Sequence, residues 1–100
     1  MKRSKINLPE EKITDFCRRN RISRLSLFGS VLREDFNEDS DIDVLVEFEP
    51  AHVPGFIRLA GMEMELSELL GGRKVDMRTP DELSRYFRSE VMASAETQYE

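Results

Sequence analysis

Apolar residues along the chain recur at two spacings, and the switches between them mark out the elements. Over residues 9–20, Ile13, Phe16 and Cys17 fall at i, i+3 and i+4, one face of a helix. Pro9 suits its first turn, Glu10 and Glu11 its positive end, and Arg18, Arg19 and Asn20 its C-terminal end. Residues 24–28 change to a period of two, with Leu25 and Leu27 on one face, and run into Gly29-Ser30. Residues 31–36 predict one or two helical turns, and 37–40 carry polar turn chemistry. The clearest strand is 41–48, where Ile42, Val44, Val46 and Phe48 alternate with Asp41, Asp43, Leu45 and Glu47. After a loop bounded by Pro50 and Pro54-Gly55, residues 56–70 predict an amphipathic helix. Phe56, Leu59, Met62, Leu66, Leu69 and Leu70 form its apolar face, and Gly71-Gly72 its stop. Residues 74–78 predict a third short strand, with Val75 and Met77 on one face. Thr79 and Pro80 then open a last helix that carries Leu83, Tyr86, Phe87 and Val91 and frays towards Glu100. The alternation is that of an α/β (α+β) protein: a small mixed sheet flanked by helices.

Composition narrows the class. One hundred residues, 39% hydrophobic and 35% charged, are enough for one core and too apolar for a disordered chain, so a single domain over 1–100 is expected. No repeat or low-complexity linker divides it. Fifteen basic against 20 acidic residues, a formal charge of −5, disfavours direct binding of a long nucleic acid through a basic face. The lone Cys17 forms no internal disulfide and reads as a small buried apolar residue. No run reaches the roughly 18–20 apolar residues of a membrane span, and no apolar segment follows the basic Lys2, Arg3 and Lys5 to make a signal peptide. No membrane association and a cytoplasmic location are expected.

Three features carry chemistry. Asp41 and Asp43 leave one face of the second strand with Cα atoms about 6–7 Å apart. Two carboxylates so placed repel, which raises a pKa or demands a cation; hard divalent ions are held by such a pair together with substrate phosphates. The same spacing also describes an ordinary polar strand edge. Gly29-Ser30, between a strand and a helical turn, suits close approach to a phosphate, or a plain turn; it lacks the lysine ending of a Walker A loop. Asp76 faces away from Val75 and Met77. It joins the other two acids if its strand lies beside theirs, in which case three carboxylates can hold two metal ions; otherwise it is a solvated strand residue. His52 reads as an exposed loop residue, Met62 and Met64 as core or interface, and Arg85 and Arg88 as the solvated face of an ordinary last helix, or else a docking face for a partner.

Leu27-Phe28-Gly29-Ser30-Val31-Leu32-Arg33, followed by Asp39-Ser40-Asp41-Ile42-Asp43-Val44-Leu45-Val46, resembles the nucleotidyltransferase signature of the DNA polymerase beta superfamily. Ser30 stands eleven residues before Asp41, and the likeness extends over about residues 22–80. Within the superfamily the chain looks like a minimal nucleotidyltransferase (MNT) domain, the class paired with HEPN toxins in toxin–antitoxin modules. The resemblance implies that Gly29 and Ser30 bind a nucleoside triphosphate and that Asp41 and Asp43 coordinate Mg²⁺. It matches Asp76 to the third carboxylate, which helps activate the incoming hydroxyl, and Arg33 to the motif arginine near the phosphates. It implies transfer of AMP from ATP to a tyrosine of the partner HEPN toxin, which silences it.

Two positions depart from the family pattern: Leu32 and Glu34 stand where Ala and Gly flank the motif arginine. Two other functions fit the same resemblance. One is an antitoxin that works by complex formation alone. The other is the core of an enzyme that modifies a small molecule such as an antibiotic, for which the chain is short.

Overall fold

A computed structural model describes residue 6, residues 8–34 and residues 36–100. The basic start at Lys2, Arg3 and Lys5, Asp35 and the side chain of Tyr86 therefore lie outside the described residues. The elements run α1 (Glu10–Arg19), β1 (Ile22–Phe28), β2 (Ile42–Phe48), α2 (Phe56–Leu69), β3 (Val75–Arg78), α3 (Arg85–Ser94) and β4 (Glu96–Tyr99). Three 3-10 turns, Gly29–Leu32, Pro50–His52 and Pro80–Glu82, punctuate them.

The strands form one mixed sheet in the order β3-β2-β1-β4. β1 runs antiparallel to both neighbours, and its junction with β2 sets Leu27 against Val44 and Phe28 against Asp43. β2 and β3 are parallel, which requires a crossover, and α2 supplies it. Alternation along β2 then sends side chains to two separate cores. Ile42, Val44 and Val46 meet Ile13, Phe16 and Cys17 of α1 and Met62 and Leu66 of α2. Leu45, which the period of two places with the acids, is 2% exposed because α3 covers that face: it packs with Phe28 and Val91. Helices thus lie on both faces, but α3 leaves the start of β2 on its side half-open.

Four expectations need correction. The expected helical turn after Ser30 is a 3-10 turn that begins earlier, at Gly29 itself, and ends at Leu32. Thr79-Pro80 opens only a 3-10 turn, in which Glu82 Oε1 accepts from the Thr79 N–H at 3.3 Å. Leu83 is extended and packs into the second core, and α3 starts afresh at Ser84, whose Oγ accepts from the Phe87 N–H at 3.3 Å. The last residues do not fray as helix: Glu96–Tyr99 pairs with the free side of β1 as β4. Four residues are too few for a period of two to declare itself, and a pairing edge on β1 decides their state.

The fourth concerns α2. Its expected apolar face buries Met62 and Leu66, but Phe56 is 87% exposed, at the rim of an open groove shared with Phe48, Val53, Leu59 and Thr79. Met64 is also exposed, so α2 presents a second stripe to solvent: Ile57, Ala60, Gly61 and Met64 recur at i, i+3, i+4 and i+7. Cys17 is fully buried, as its composition suggested, and burial pushes its thiol up to about 12.

Leu27→Ala, in the central strand between both helices and the sheet, is expected to cost about 2–5 kcal/mol in urea unfolding. Ile57→Ser, at 92% exposure, is expected to change stability by less than about 0.5 kcal/mol.

Candidate functional site

The site grows from the meeting of three chain segments at one end of the sheet. β1 ends at Phe28, opposite Asp43, so the Gly29-Ser30 turn folds directly over the start of β2. Gly29 has φ +69°, a conformation that disfavours any side chain, and a Cβ built there would stand 2.5 Å from Asp43 Oδ2. The dihedral calls for glycine, and any Cβ there would also push the Asp43 carboxylate aside. Ser30 then turns inward. Its N–H and its Oγ both lie 3.3 Å from Asp43 Oδ2, and Oγ lies 2.8 Å from the Asp41 carbonyl, to which it donates. One hydroxyl proton serves the shorter bond, so Asp43 is held by two long and weak contacts.

Parallel pairing sets Asp76 of β3 in register with Asp43 of β2. Register partners share a face, so the third acid stands beside the second, as its strand position allowed. Asp41, the residue before β2, sits two positions from Asp43 on the same face. Its carboxylate turns to Lys74 at 3.9 Å. Asp76 is met by Arg78, whose Nε lies 3.2 Å from Oδ1. Both ion pairs are at least a third exposed, and such pairs contribute roughly 0–1 kcal/mol, so a stronger cation can displace them. Burial, with help from the charges of Asp76 and Asp41, raises the Asp43 carboxyl above its ordinary range; the bonds from Ser30 oppose this without cancelling it.

A divalent ion fits this donor set, with one restriction. The oxygens are hard, lie on one face and repel one another, which is what a cation relieves. Among the described residues, however, no three His, Cys, Asp or Glu side chains are grouped so that they could hold one metal ion together. The remaining ligands must come from outside the chain, such as phosphate oxygens or water. Arg33 is exposed just after the turn, and its N–H bonds to the Ser30 carbonyl at 3.0 Å. Leu32 is partly buried against the first core and Glu34 is exposed, so neither departure intrudes on the acids. His52 is exposed at the far end of β2. Arg85 is exposed too, whereas Arg88 folds back, with Nη2 3.2 Å from the Leu83 carbonyl.

Arg78 and Lys74 were not singled out from the sequence. The signal existed for both: Arg78 is two residues from Asp76 and so shares its face, and Lys74 precedes the same strand.

Residues 10–97 match the Nucleotidyltransferase domain family. The Methanocaldococcus jannaschii protein named "Putative protein adenylyltransferase MJ0435" is 32% identical over 90 residues, spanning 90% of this chain and 94% of the relative. "Protein adenylyltransferase MntA" of Thermococcus cleftensis is 38% identical over 52 residues, 52% of this chain and 50% of its own. A solved structure described as "putative minimal nucleotidyltransferase" superposes with a TM-score of 0.70 at 34% identity, over 86% of this chain and 85% of that one. A "toxin-antitoxin with AMP-PNP" shares the fold at a TM-score of 0.73 and 24% identity, over 92% of this chain and 73% of that one.

Two glycines give opposite expectations. Gly29→Ala should lower unfolding free energy by at least about 1–2 kcal/mol through its left-handed backbone alone. Gly61→Ala, inside α2 with nothing within 4 Å of the added Cβ, should raise it by about 0.5–1 kcal/mol. Asp43 gives a pH test. Its carboxyl is raised in the folded state, so its contribution is fully present below the ordinary carboxylate pKa of about 3.9 and is lost as pH rises through the raised value. Asp43→Asn should therefore gain stability relative to the parent from acid to neutral pH, measured by thermal melts without divalent ions. A variant that loses stability across that interval would contradict the assignment.

Proposed function

The chain belongs to the nucleotidyltransferase domain family, and on that premise we propose that it transfers AMP from ATP, with Mg²⁺, to a tyrosine of a partner HEPN toxin and so acts as its antitoxin. In this reading the chain is one minimal domain, works in the cytoplasm and expects its substrate protein from outside. The supporting names are those of its relatives, protein adenylyltransferases, and of structural neighbours solved as a toxin–antitoxin pair, one with AMP-PNP. Among the described residues no helix is long and apolar enough to cross a membrane.

The observation that carries the reading is the Gly29-Ser30 turn laid against Asp43, with Asp76 in register beside it. Asp41, Asp43 and Asp76 would hold the Mg²⁺. When bound, the ion supplies charge stabilisation for the phosphates and the leaving pyrophosphate. Gly29 lets the backbone approach the triphosphate, and Ser30 offers it an N–H whose contact with Asp43 is weak enough to exchange. Arg33 adds a cation at the mouth of the turn. Asp76 accepts the proton of the attacking tyrosine hydroxyl. The oxygen forms its bond to the α-phosphorus as the bond to the β-phosphate oxygen breaks.

Purified chain, a candidate HEPN partner, Mg²⁺ and ATP labelled in the adenine or α-phosphate should leave label on the partner. Asp41→Ala/Asp43→Ala should reduce it beyond the roughly 10–100-fold that loss of an outer partner costs. A second reading, neutralisation by complex formation alone, is favoured by one observation: the solvent-facing apolar stripe of α2 with Phe56 at its head. Toxin silenced with no label transferred, equally by the parent and the double variant, would select it.

A further inference from the structure

Arg73 is a residue that no motif singles out, yet it ties together the segment that presents Asp41. Its Nη2 donates to two backbone carbonyls of the 37–40 turn, Asn37 at 2.8 Å and Ser40 at 3.2 Å. Its guanidinium carbon stands 4.7 Å from the centre of the Phe36 ring. Its Nε is buried with no hydrogen-bond partner among the described residues, a cost that the aromatic face and the two charge-assisted bonds must offset. Its own carbonyl accepts from Ser67 Oγ of α2 at 2.5 Å, and the next carbonyl, that of Lys74, accepts from the Ile42 N–H at 2.9 Å.

The effect converges on the two peptide units that flank Asp41. The Ser40 carbonyl before Asp41 is held by Arg73, the Asp41 carbonyl by Ser30, and the Ile42 N–H after it by Lys74. A carboxylate just before a strand would otherwise ride on a mobile turn. We infer that Arg73 is a positioning residue, which fixes the backbone around Asp41 so that its carboxylate stands ready beside Asp43 for a divalent cation. This rests on the metal-binding reading of the acids. It predicts that loss of Arg73 weakens cation binding rather than the fold as a whole. A planar guanidinium that stacks on Phe36 while one nitrogen reaches two carbonyls cannot be replaced in full by an ammonium.

The test uses Mn²⁺ as a paramagnetic probe, titrated with a non-hydrolysable ATP analogue present, and hydrogen–deuterium exchange of 37–42 well below the melting temperature. Arg73→Met should weaken Mn²⁺ binding about 10-fold or more and speed exchange of the segment. Arg73→Lys should recover part of both, and Ser67→Ala, a milder cut in the same tether, should shift both in the same direction if Arg73→Met does not fold. Asp41→Asn should weaken Mn²⁺ binding yet leave exchange slow. Unchanged Mn²⁺ binding in the Arg73 variants, beside a parent that binds, would overturn the inference alone. A parent that binds no Mn²⁺ with the nucleotide would overturn the reading of the acids, and the inference with it.

Discussion

The pairing of β1 with β2 is the constraint on which the site depends. Because Phe28 lies opposite Asp43, the chain that leaves β1 has to turn across the first acid of β2 at once. That sets the turning residue against the Asp43 carboxylate and puts Ser30 within its reach. A register slip of one residue would send Asp43 to the other face, among Ile13, Phe16 and Met62, where a charge has no partner. The apolar alternation of β2 and the placement of its acids are therefore specified together. The two cores on either side of the sheet enforce one register.

Charge explains how the acids are accommodated side by side. Asp41, Asp43 and Asp76 share a face, and each is satisfied by a different local group: Lys74, Ser30 and Arg78. The two ion pairs are exposed and individually weak. Burial, with the charges of Asp76 and Asp41 added to it, raises the carboxyl of the middle acid, which pairs with no cation among the described residues. The arrangement is stable enough to fold and short of one positive centre. Part of the acidic balance of the chain is thus concentrated at one end of the sheet.

The scaffold behind the acids is built from residues that carry no chemistry. Glu63 of α2 accepts from the Met77 N–H at 2.8 Å on the outer edge of β3, next to Asp76. Arg73 and Ser67 do the corresponding work next to Asp41. Both tethers start from α2 or its exit, so the crossover helix positions each side of the site. Glu63 also occupies a donor that an exposed edge strand would offer to another chain.

What the sequence alone determined is local. The period of two in 41–48 put Asp41 and Asp43 on one face. The 3.6 period found α1 and α2, and the Gly29-Ser30 pair, placed between a strand and a helical turn, marked a turn or a phosphate approach. Strand alternation singled out Asp76, and the resemblance matched it to a third carboxylate. Only the tertiary structure decided that β3 lies parallel beside β2 with Asp76 at Asp43, that Leu45 is core, that residues 96–99 are a strand, and that Phe56 is open to solvent. The reason is the same in each case. Periodicity reports which residues share a face, but not which element covers that face. Leu45 is buried because α3 lies over it, and Phe56, one turn before the first covered position of α2, is exposed because nothing described does. Arg73 shows the same limit from the polar side. Its partners are backbone carbonyls more than thirty residues away, and these leave no trace in the residue types that surround it.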